Sequence, residues 1–413
     1  MNILVACDIL LTGGAETFAM RMARYYKEAG HNVVLVSISG SKVDYDLIRE
    51  NAGDIKVHSV TYNKIIDWMI YKIDGALKRV GMHNGLRKYL TVRHFKLFLL
   101  EKHIRIVHTN MFEAVDVFTQ IVKDIADLKV VHSVHGDIVS LAYRSINEKN
   151  LGYQISEYDQ YCIKERLPLI VKNLSYIVCT AEMHLKIFND FFKDNNTKLV
   201  KIYNPVDDRR NCKFDLKRSS LGIPDDAFVY GTMGRVIREK GWDELIKAFI
   251  LADLPNSFLL LIGGGPMLEE FKKNNIHRNV IFLGQQTEPI KYINLFDIGV
   301  SPTYFWESLP TAIIDYLSLG KPVIVTDNAE SKYMITVNGD DMAGMVVPVT
   351  KNSWDVIVGE SPLDFNDMKD ALVKIYNDGN LRNRCSKNTL LCFNQFNKEQ
   401  IVNKYLELFE DVK

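Results

Sequence analysis

Residues 2 to 38 already commit this chain to one kind of architecture. "NILVAC" is a short apolar strand and "LTGGAE" a glycine-bearing turn. From Ala15 to Ala29 the apolar positions Phe18, Met22, Tyr25 and Ala29 recur at helical spacing, and Gly30 is a good C-terminal stop. "NVVLVSI" reads as a second buried strand. Strand, turn, helix, strand is a βαβ unit, which implies a parallel sheet with helices on both faces.

The same grammar continues. "IRIVHTN" (104–110), "KVVHSVH" (129–135) and "LSYIVCT" (174–180) read as further strands. At "KIYNPVD" (201–207) Asn-Pro breaks any regular element, and the polar stretch "DRRNCKFDLKRSS" that follows reads as an interdomain linker. Then the pattern restarts. "AFVYGTMG" and "SFLLLIGGG" are strands running into glycine turns, with the helix "WDELIKAFILA" between them, and "NVIFLG", "DIGVSP" and "KPVIVT" are more strands. The expected fold is therefore α/β, with two doubly wound, Rossmann-like domains facing each other. Their boundaries fall at about 1–205 and 206–389. The last segment is mostly helical, with Leu390, Phe393, Ile401, Tyr405 and Leu408 as expected buried positions. In such sheets ligands sit beyond the carboxyl ends of the strands, where the glycine-rich turns lie. A chain of 413 residues fits two cores better than one.

Bulk properties exclude several classes. Lys plus Arg and Asp plus Glu are both 51, so there is no basic excess for a nucleic-acid backbone. Six scattered cysteines without a C-x-x-C fit a reducing compartment and no structural zinc. The N-terminus has no basic n-region and reads as a first strand rather than a signal peptide. No apolar run reaches the roughly 18 residues that a membrane span needs. Charge is locally uneven: 64–102 holds nine Lys or Arg against three acids, with Trp68, Met69, Ile70, Tyr71, Phe95 and Phe98 between them. That stretch is either a solvated helix face or a surface for anionic membrane or a lipid phosphate.

Several motifs could carry chemistry. "TGGAET" (12–17) resembles a phosphate turn, because Gly13 and Gly14 let backbone approach a ligand at a helix N-terminus. The dinucleotide pattern G-x-G-x-x-G is absent, and no acid ends the second strand, which disfavours a nicotinamide dehydrogenase. "GRVIREKG", from Gly234, sets Arg235 and Lys240 around a glycine turn leading into a helix, a suitable grip for a diphosphate. "LIGGGPM" (261–267), with Gly264, suits close packing of loop and ligand, or is merely a turn that needs glycine. In "VVHSVHGD", His135 lies where the strand gives way to a turn and is the active-site candidate, whereas His132 stays in the strand. "DYD" (44–46) matches the D-x-D of metal-dependent transferases of a different fold, a match that short sequences make by chance, and no metal is expected.

"ESLPTAIID" (307–315) places Glu307 before a helix that Ser308 or Leu309 could cap, Ser308 being the better, with Pro310 in the first turn. Asp315 would then lie about two turns inside. The two acids are too far apart to share a proton, at roughly 10 Å along the axis. They can instead hold different parts of one extended ligand.

Taken in order, "GGAE", "VHSVHGD", "IYNPVD", "GRVIREKG", "LIGGGP", "FLG" and "ESLPTAIIDYLSLGKPVIVTD" resemble the GT-B fold glycosyltransferases of family 4, the retaining group that uses nucleotide-sugar donors. The resemblance implies a sugar transfer from a nucleoside diphosphate sugar, UDP- or GDP-linked, to an acceptor hydroxyl with retention, and no cofactor or catalytic metal. It implies that Arg235 and Lys240 bind the diphosphate. Gly13 and Gly14 approach the phosphates or donor sugar, and His135 contacts that sugar. Glu307 stands at the first position of the E-x7-E motif near the sugar hydroxyls, and the backbone of Ser308 and Leu309 helps hold sugar and phosphate. Asp315 takes the second position, on the ribose, and the segment around Gln285 passes near the base. A final helix, from about 390 to 413, is expected to pack back onto the first domain. Three departures stand out: Asp315 for the usual Glu, Leu309-Pro310 for a frequent Phe-Gly, and "NAE" after "VIVTD". The acceptor would be a glycan or lipid-linked glycan, the location cytoplasmic, at the inner membrane face if 64–102 docks there. The rival readings are a GT-B-like sugar-nucleotide epimerase and a non-catalytic sugar-nucleotide or glycan binder.

Overall fold

The computed structural model describes residues 1–79, 85–147, 154–192, 198–274, 276–304, 307, 309–339, 341–350 and 363–411. It divides into two compact units, Met1–Asn204 with Ile401–Lys413, and Pro205–Gln400.

The first unit is built on a seven-stranded parallel sheet. Its strands are β1 (Asn2–Cys7), β2 (Asn32–Ser37), β3 (Val57–Ser59), β4 (Ile106–Asn110), β5 (Lys129–Ser133), β6 (Tyr176–Cys179) and β7 (Lys198–Lys201), in the order β3-β2-β1-β4-β5-β6-β7. Ile3 pairs with Val33 on one side and Ile106 on the other. The central strands read as continuous apolar runs because both faces are covered: Ile3 to Cys7 have no exposed surface. Helix α1 (Gly14–Glu28) buries Phe18, Met22, Tyr25 and Tyr26, each worth about 1.5–3 kcal/mol of burial. Further helices are α2 (Tyr45–Ala52), α3 (Lys64–Arg79), α4 (Leu86–Glu101) and α5 (Phe112–Ile121). The strand order reverses between β1 and β4, so the loops after these strands flank the switch point where such sheets take ligands.

The second unit repeats the scheme with six strands. β8 (Phe228–Met233), β9 (Ser257–Ile262), β10 (Val280–Gly284), β11 (Ile298–Ser301) and β12 (Val323–Thr326) are followed by Gly344–Val347, in the order β10-β9-β8-β11-β12 and then that last strand. Trp242, Leu245, Ile246 and Phe249 of the helix Trp242–Ala252 pack on Tyr230, Leu259 and Leu261 to form its core.

Three elements differ from the sequence reading. β7 is an edge strand of half-buried residues, and the Lys residues at its ends hide it. The helix Gly379–Phe393 belongs to the second unit, and the chain crosses back only at Ile401, not near 390. On that helix Asn388, Thr389 and Cys392 take the buried stripe, which leaves Leu390 43% exposed. On the returning helix, Lys398–Glu410, the buried positions are Ile401, Val402, Tyr405 and Phe409, with Leu408 half-buried. Tyr405 and Phe409 pack against Tyr26, with ring centroids 6.4 and 5.4 Å away.

Candidate active site

In the second unit the ends of β8 and β9 turn side by side. Gly234 N–H donates to Ile262 at 3.0 Å and Val236 N–H to Gly264 at 2.9 Å. Only a glycine fits at 263, since a Cβ there would lie 1.8 Å from the Gly234 carbonyl oxygen. This packing fixes the first loop against the second. A short turn, Arg238–Lys240, and the left-handed Gly241 (φ 68°) then lead into the helix Trp242–Ala252.

Lys240 Nζ lies 2.6 Å from each carboxylate oxygen of Glu307, although 67 residues separate them. Both line a cavity of about 200 Å³ together with Gly234, Arg235, Pro310 and Thr311. Arg235 is exposed there. The N-terminus of the helix Thr311–Ser318 opens on the same cavity, so two cations and a set of helix N–H groups converge on one space. Gln285 adjoins through the second loop: its Oε1 would be 3.0 Å from a Cβ on Gly264.

The helix start corrects the sequence reading. Pro310, with ψ 97°, is the N-cap and makes no side-chain cap bond, so the helix begins at Thr311. Ser308 lies outside the described residues, and Leu309 is buried. Asp315 consequently stands about one turn inside, not two. It is not among the cavity-lining residues, and its Oδ1 accepts from Arg209 Nη1 at 2.6 Å. Arg209 escaped the sequence reading because it sits in a polar stretch that looked like a linker.

In the first unit Gly13 is the N-cap of α1 in extended conformation, and Gly14 begins the helix. Glu16 is buried and folds back over this turn, its Oε2 within 2.1 Å of where a Gly13 Cβ would be. A buried carboxylate opposes a phosphate here and suits the hydroxyl donors of a sugar.

His135 follows β5 by two residues. Its Nε2 is 2.9 Å from Asn110 Oδ1, and its ring lies 4.8 Å from Phe18. Burial, helped by nearby His184, lowers its pKa to about 4, so it is neutral near pH 7. His132, within the strand, is fully buried, bonds Thr109 Oγ1 at 3.1 Å and is lowered by burial to about 3. His108 is wedged between Tyr26 Oη (3.0 Å) and Ser133 Oγ (2.7 Å), and Tyr405 Oη joins Ser133 at 2.7 Å. Of these histidines His135 alone has exposed surface. Asp44 of the "DYD" stretch caps α2, accepting from Asp46 and Leu47 N–H at 3.0 and 3.1 Å, which accounts for it structurally.

Two families match the chain in succession: Glycosyltransferase Family 4 over residues 12–210 and Glycosyl transferases group 1 over residues 213–392. One similar protein is the UDP-Gal:alpha-D-GlcNAc-diphosphoundecaprenol alpha-1,3-galactosyltransferase of Escherichia coli, 26% identical over 387 residues, 89% of this chain and 92% of that one. A capsular polysaccharide biosynthesis glycosyltransferase, CapM, of Staphylococcus aureus is 28% identical over 43% of this chain and 45% of its own. Among solved structures, Anabaena Alr3699/HepE in complex with UDP and glucose superposes with a TM-score of 0.67 at 16% identity, covering 99% of both chains. WaaG, a glycosyltransferase involved in lipopolysaccharide biosynthesis, does so with 0.58 at 15% identity, covering 100% of both. Both halves of the sequence are thus matched in order and the two sheets have the expected architecture, so this chain belongs to the family 4 glycosyltransferases of the GT-B fold.

Proposed function

We propose that this glycosyltransferase moves a hexose from a UDP-sugar to a hydroxyl of a glycan or lipid-linked glycan, with retention of anomeric configuration. The observation that carries the reading is the convergence of Arg235, Lys240, Glu307 and the Thr311–Ser318 N-terminus on one cavity. Such a site holds a diphosphate and stabilises the charge that grows on it as it leaves. Binding makes Lys240 exchange the Glu307 carboxylate for phosphate oxygens. Glu307 is then released to accept from sugar hydroxyls.

The departing diphosphate oxygen takes the proton of the acceptor hydroxyl, on the face from which the bond breaks, so configuration is retained. Gly13 and Gly14 approach the donor sugar, and neutral His135 contacts it. The backbone of Ser308 and Leu309 holds sugar and phosphate, Asp315 accepts from the ribose hydroxyls, and Gly264 and Gln285 border the base. The chemistry requires no metal. UDP is favoured over GDP because the Escherichia coli relative is named for UDP-Gal and the Anabaena protein was solved with UDP.

The acceptor is carried at a membrane, as the diphosphoundecaprenol in the relative's name suggests. Among the described residues no helix is long and apolar enough to cross one. α3 instead offers a peripheral contact with anionic lipid: Ile65, Trp68, Met69 and Tyr71 are each at least half exposed. Surface polysaccharide assembly on the cytoplasmic face is the setting that fits.

A thermal-shift screen against UDP-, GDP-, ADP- and dTDP-sugars tests the donor, because a ligand that binds only the folded state raises apparent stability. The largest shift is expected with a UDP-sugar. Incubation of donor alone must then return it unchanged, since a changed sugar nucleotide would mean an epimerase. With acceptor present, proton NMR of the first product should show the donor's own anomeric configuration. An inverted product, or none with any acceptor, would sink the reading.

A further inference from the structure

A cavity of about 530 Å³ opens in the first unit, at the ends of β2 and β3. That volume is in the range of small-molecule sites, about 300–1,000 Å³. Thr61 and Tyr62 follow β3, Asp67 and Asp74 come from α3, and Thr91 comes from α4. Glu113, near the start of α5, and Tyr158 close the wall.

The charges of this wall are matched. Three cations, Lys64, Arg87 and Lys88, face three carboxylates, Asp67, Asp74 and Glu113. Arg87 Nη1 is 2.8 Å from Asp67, and Lys88 Nζ is 3.1 Å from Glu113 and bonds the buried Asp116 as well. Asp74 accepts from Leu86 N–H at 2.5 Å and Arg87 N–H at 3.3 Å, occupying the N-terminus of α4. A phosphate finds no net positive charge here and no vacant helix end. What remains is a set of fixed carboxylate oxygens beside cationic donors, with Tyr62 and Tyr158 supplying ring faces, the Tyr158 hydroxyl donating to Glu113 Oε1 at 3.4 Å. Each carboxylate has about four lone-pair sites, more than its wall partners use. Acceptor beside donor, with an aromatic face, is the complement of neighbouring hydroxyls on a sugar ring.

We propose that this cavity binds a neutral saccharide unit of the acceptor, set back from the unit that reacts. The proposal rests on the glycosyltransferase reading. Its position follows from the sheet. β5, which His135 follows by two residues, lies three strand spacings from β2, about 14 Å at about 4.8 Å each. Glu113 is only three residues beyond Asn110, the partner of His135, so cavity and histidine lie at the same, carboxyl end of the strands. An acceptor whose reacting hydroxyl lies near His135 must extend past its first ring to fill the cavity. The enzyme therefore selects an acceptor of two or more sugars. α3 has two roles in this arrangement, lining the cavity with Asp67 and Asp74 and turning Ile65, Ile66 and Met69 to solvent.

Saturation-transfer NMR on the full chain, with UDP present, tests the proposal. The probes are lactose, cellobiose, N,N'-diacetylchitobiose, their trisaccharide extensions, the parent monosaccharides and inorganic pyrophosphate. At least one neutral oligosaccharide should give a signal that its monosaccharides do not. Tyr62→Ala and Tyr158→Ala should each weaken it about tenfold or more, and pyrophosphate should not displace it. Tyr158 is 43% exposed, so its variant opens the site at its solvent side. Displacement by pyrophosphate, binding indifferent to both substitutions, or no oligosaccharide signal while UDP binds would each overturn the proposal. Failure of UDP itself to bind would overturn the glycosyltransferase donor reading instead.

Discussion

His135 and Asn110 form a hydrogen bond whose direction is fixed from behind. Asn110 donates from Nδ2 to the Ala6 carbonyl at 3.3 Å, so its Oδ1 is the atom left to face His135 Nε2 at 2.9 Å. His135 must then carry its proton on Nε2, and Nδ1 is left as an acceptor.

The first prediction concerns this pair. Asn110→Asp places a carboxylate against the ring and raises the His135 pKa from about 4 toward neutrality. A protonated ring has no acceptor at Nδ1, so the activity of the variant should fall as pH drops through a range where wild type is unaffected. The pH profile of kcat/KM checks this. Nitrogen NMR of selectively labelled histidine checks the wild-type tautomer directly.

His108, His132 and His184 are fully buried, and burial lowers all three, His132 to about 3 and His184 to about 4. The unfolded chain takes up protons at these sites below about pH 6.5 and the folded chain does not. Stability is therefore undiminished above pH 6.5 and falls below it, until each folded pKa is reached. Each histidine should cost about 2 kcal/mol between pH 6.5 and 5. Urea titrations at pH 7.5 and 5.0 measure the difference, and equal stabilities would contradict the burial of these rings.

Arg235→Ala and Lys240→Ala should each lower kcat about 100-fold or more, as expected for groups that stabilise a leaving charge. Glu307→Gln should leave diphosphate affinity nearly intact, since it removes the competitor of the phosphate for Lys240. Steady-state kinetics with calorimetry of UDP binding separates these effects. Near-wild-type turnover in both cation variants would dismiss the diphosphate site.

Asp315 is held by Arg209, and its assignment to the ribose can be tested with the ligand rather than the rate. Wild type should prefer UDP to 2′,3′-dideoxy-UDP about tenfold, and Asp315→Ala should lose that preference. If both proteins discriminate equally, Asp315 does not hold the ribose.

Gly263→Ala should destabilise the second unit by about 1–3 kcal/mol or more, because the new methyl group meets the Gly234 backbone at 1.8 Å and backbone cannot swing aside. Chemical denaturation reads the loss. The same variant should weaken UDP binding, because the two loops share one packing.

The sheets were legible because buried parallel strands carry unbroken apolar runs, as Ile3–Cys7 and Phe258–Ile262 do. Gly234, Arg235 and Lys240 were legible as a local cluster. Their meeting with Glu307 depends on β11 lying beside β8, with Ile298 paired to Tyr230, which is a long-range fact. Arg209 and Asn110 gave no local sign, since each matters only through a partner on a distant element. Ser308 satisfied the usual capping preference, yet the chain enters the helix through Pro310. The stretch 64–102 was misleading as a single unit. α4 buries Phe95 and Leu99, while on α3 only Ile70 is buried and the acids turn inward, to Arg87 and the α4 backbone. Periodicity locates an apolar face but not the side of the helix that meets protein.

The helix Lys398–Glu410 has a consequence in time. Tyr405 completes the chain of hydroxyls through Ser133 to His108, and Lys129 Nζ donates to the carbonyls of Phe409 and Asp411 at 2.7 and 2.6 Å. These contacts join strands translated early to a helix translated after the whole second unit. During synthesis the first sheet must wait, with His108 and Tyr26 uncovered, until the whole second unit and the helix Lys398–Glu410 have been translated. A chain stopped at residue 400 has every strand of its first sheet and still lacks the last wall of that sheet's core.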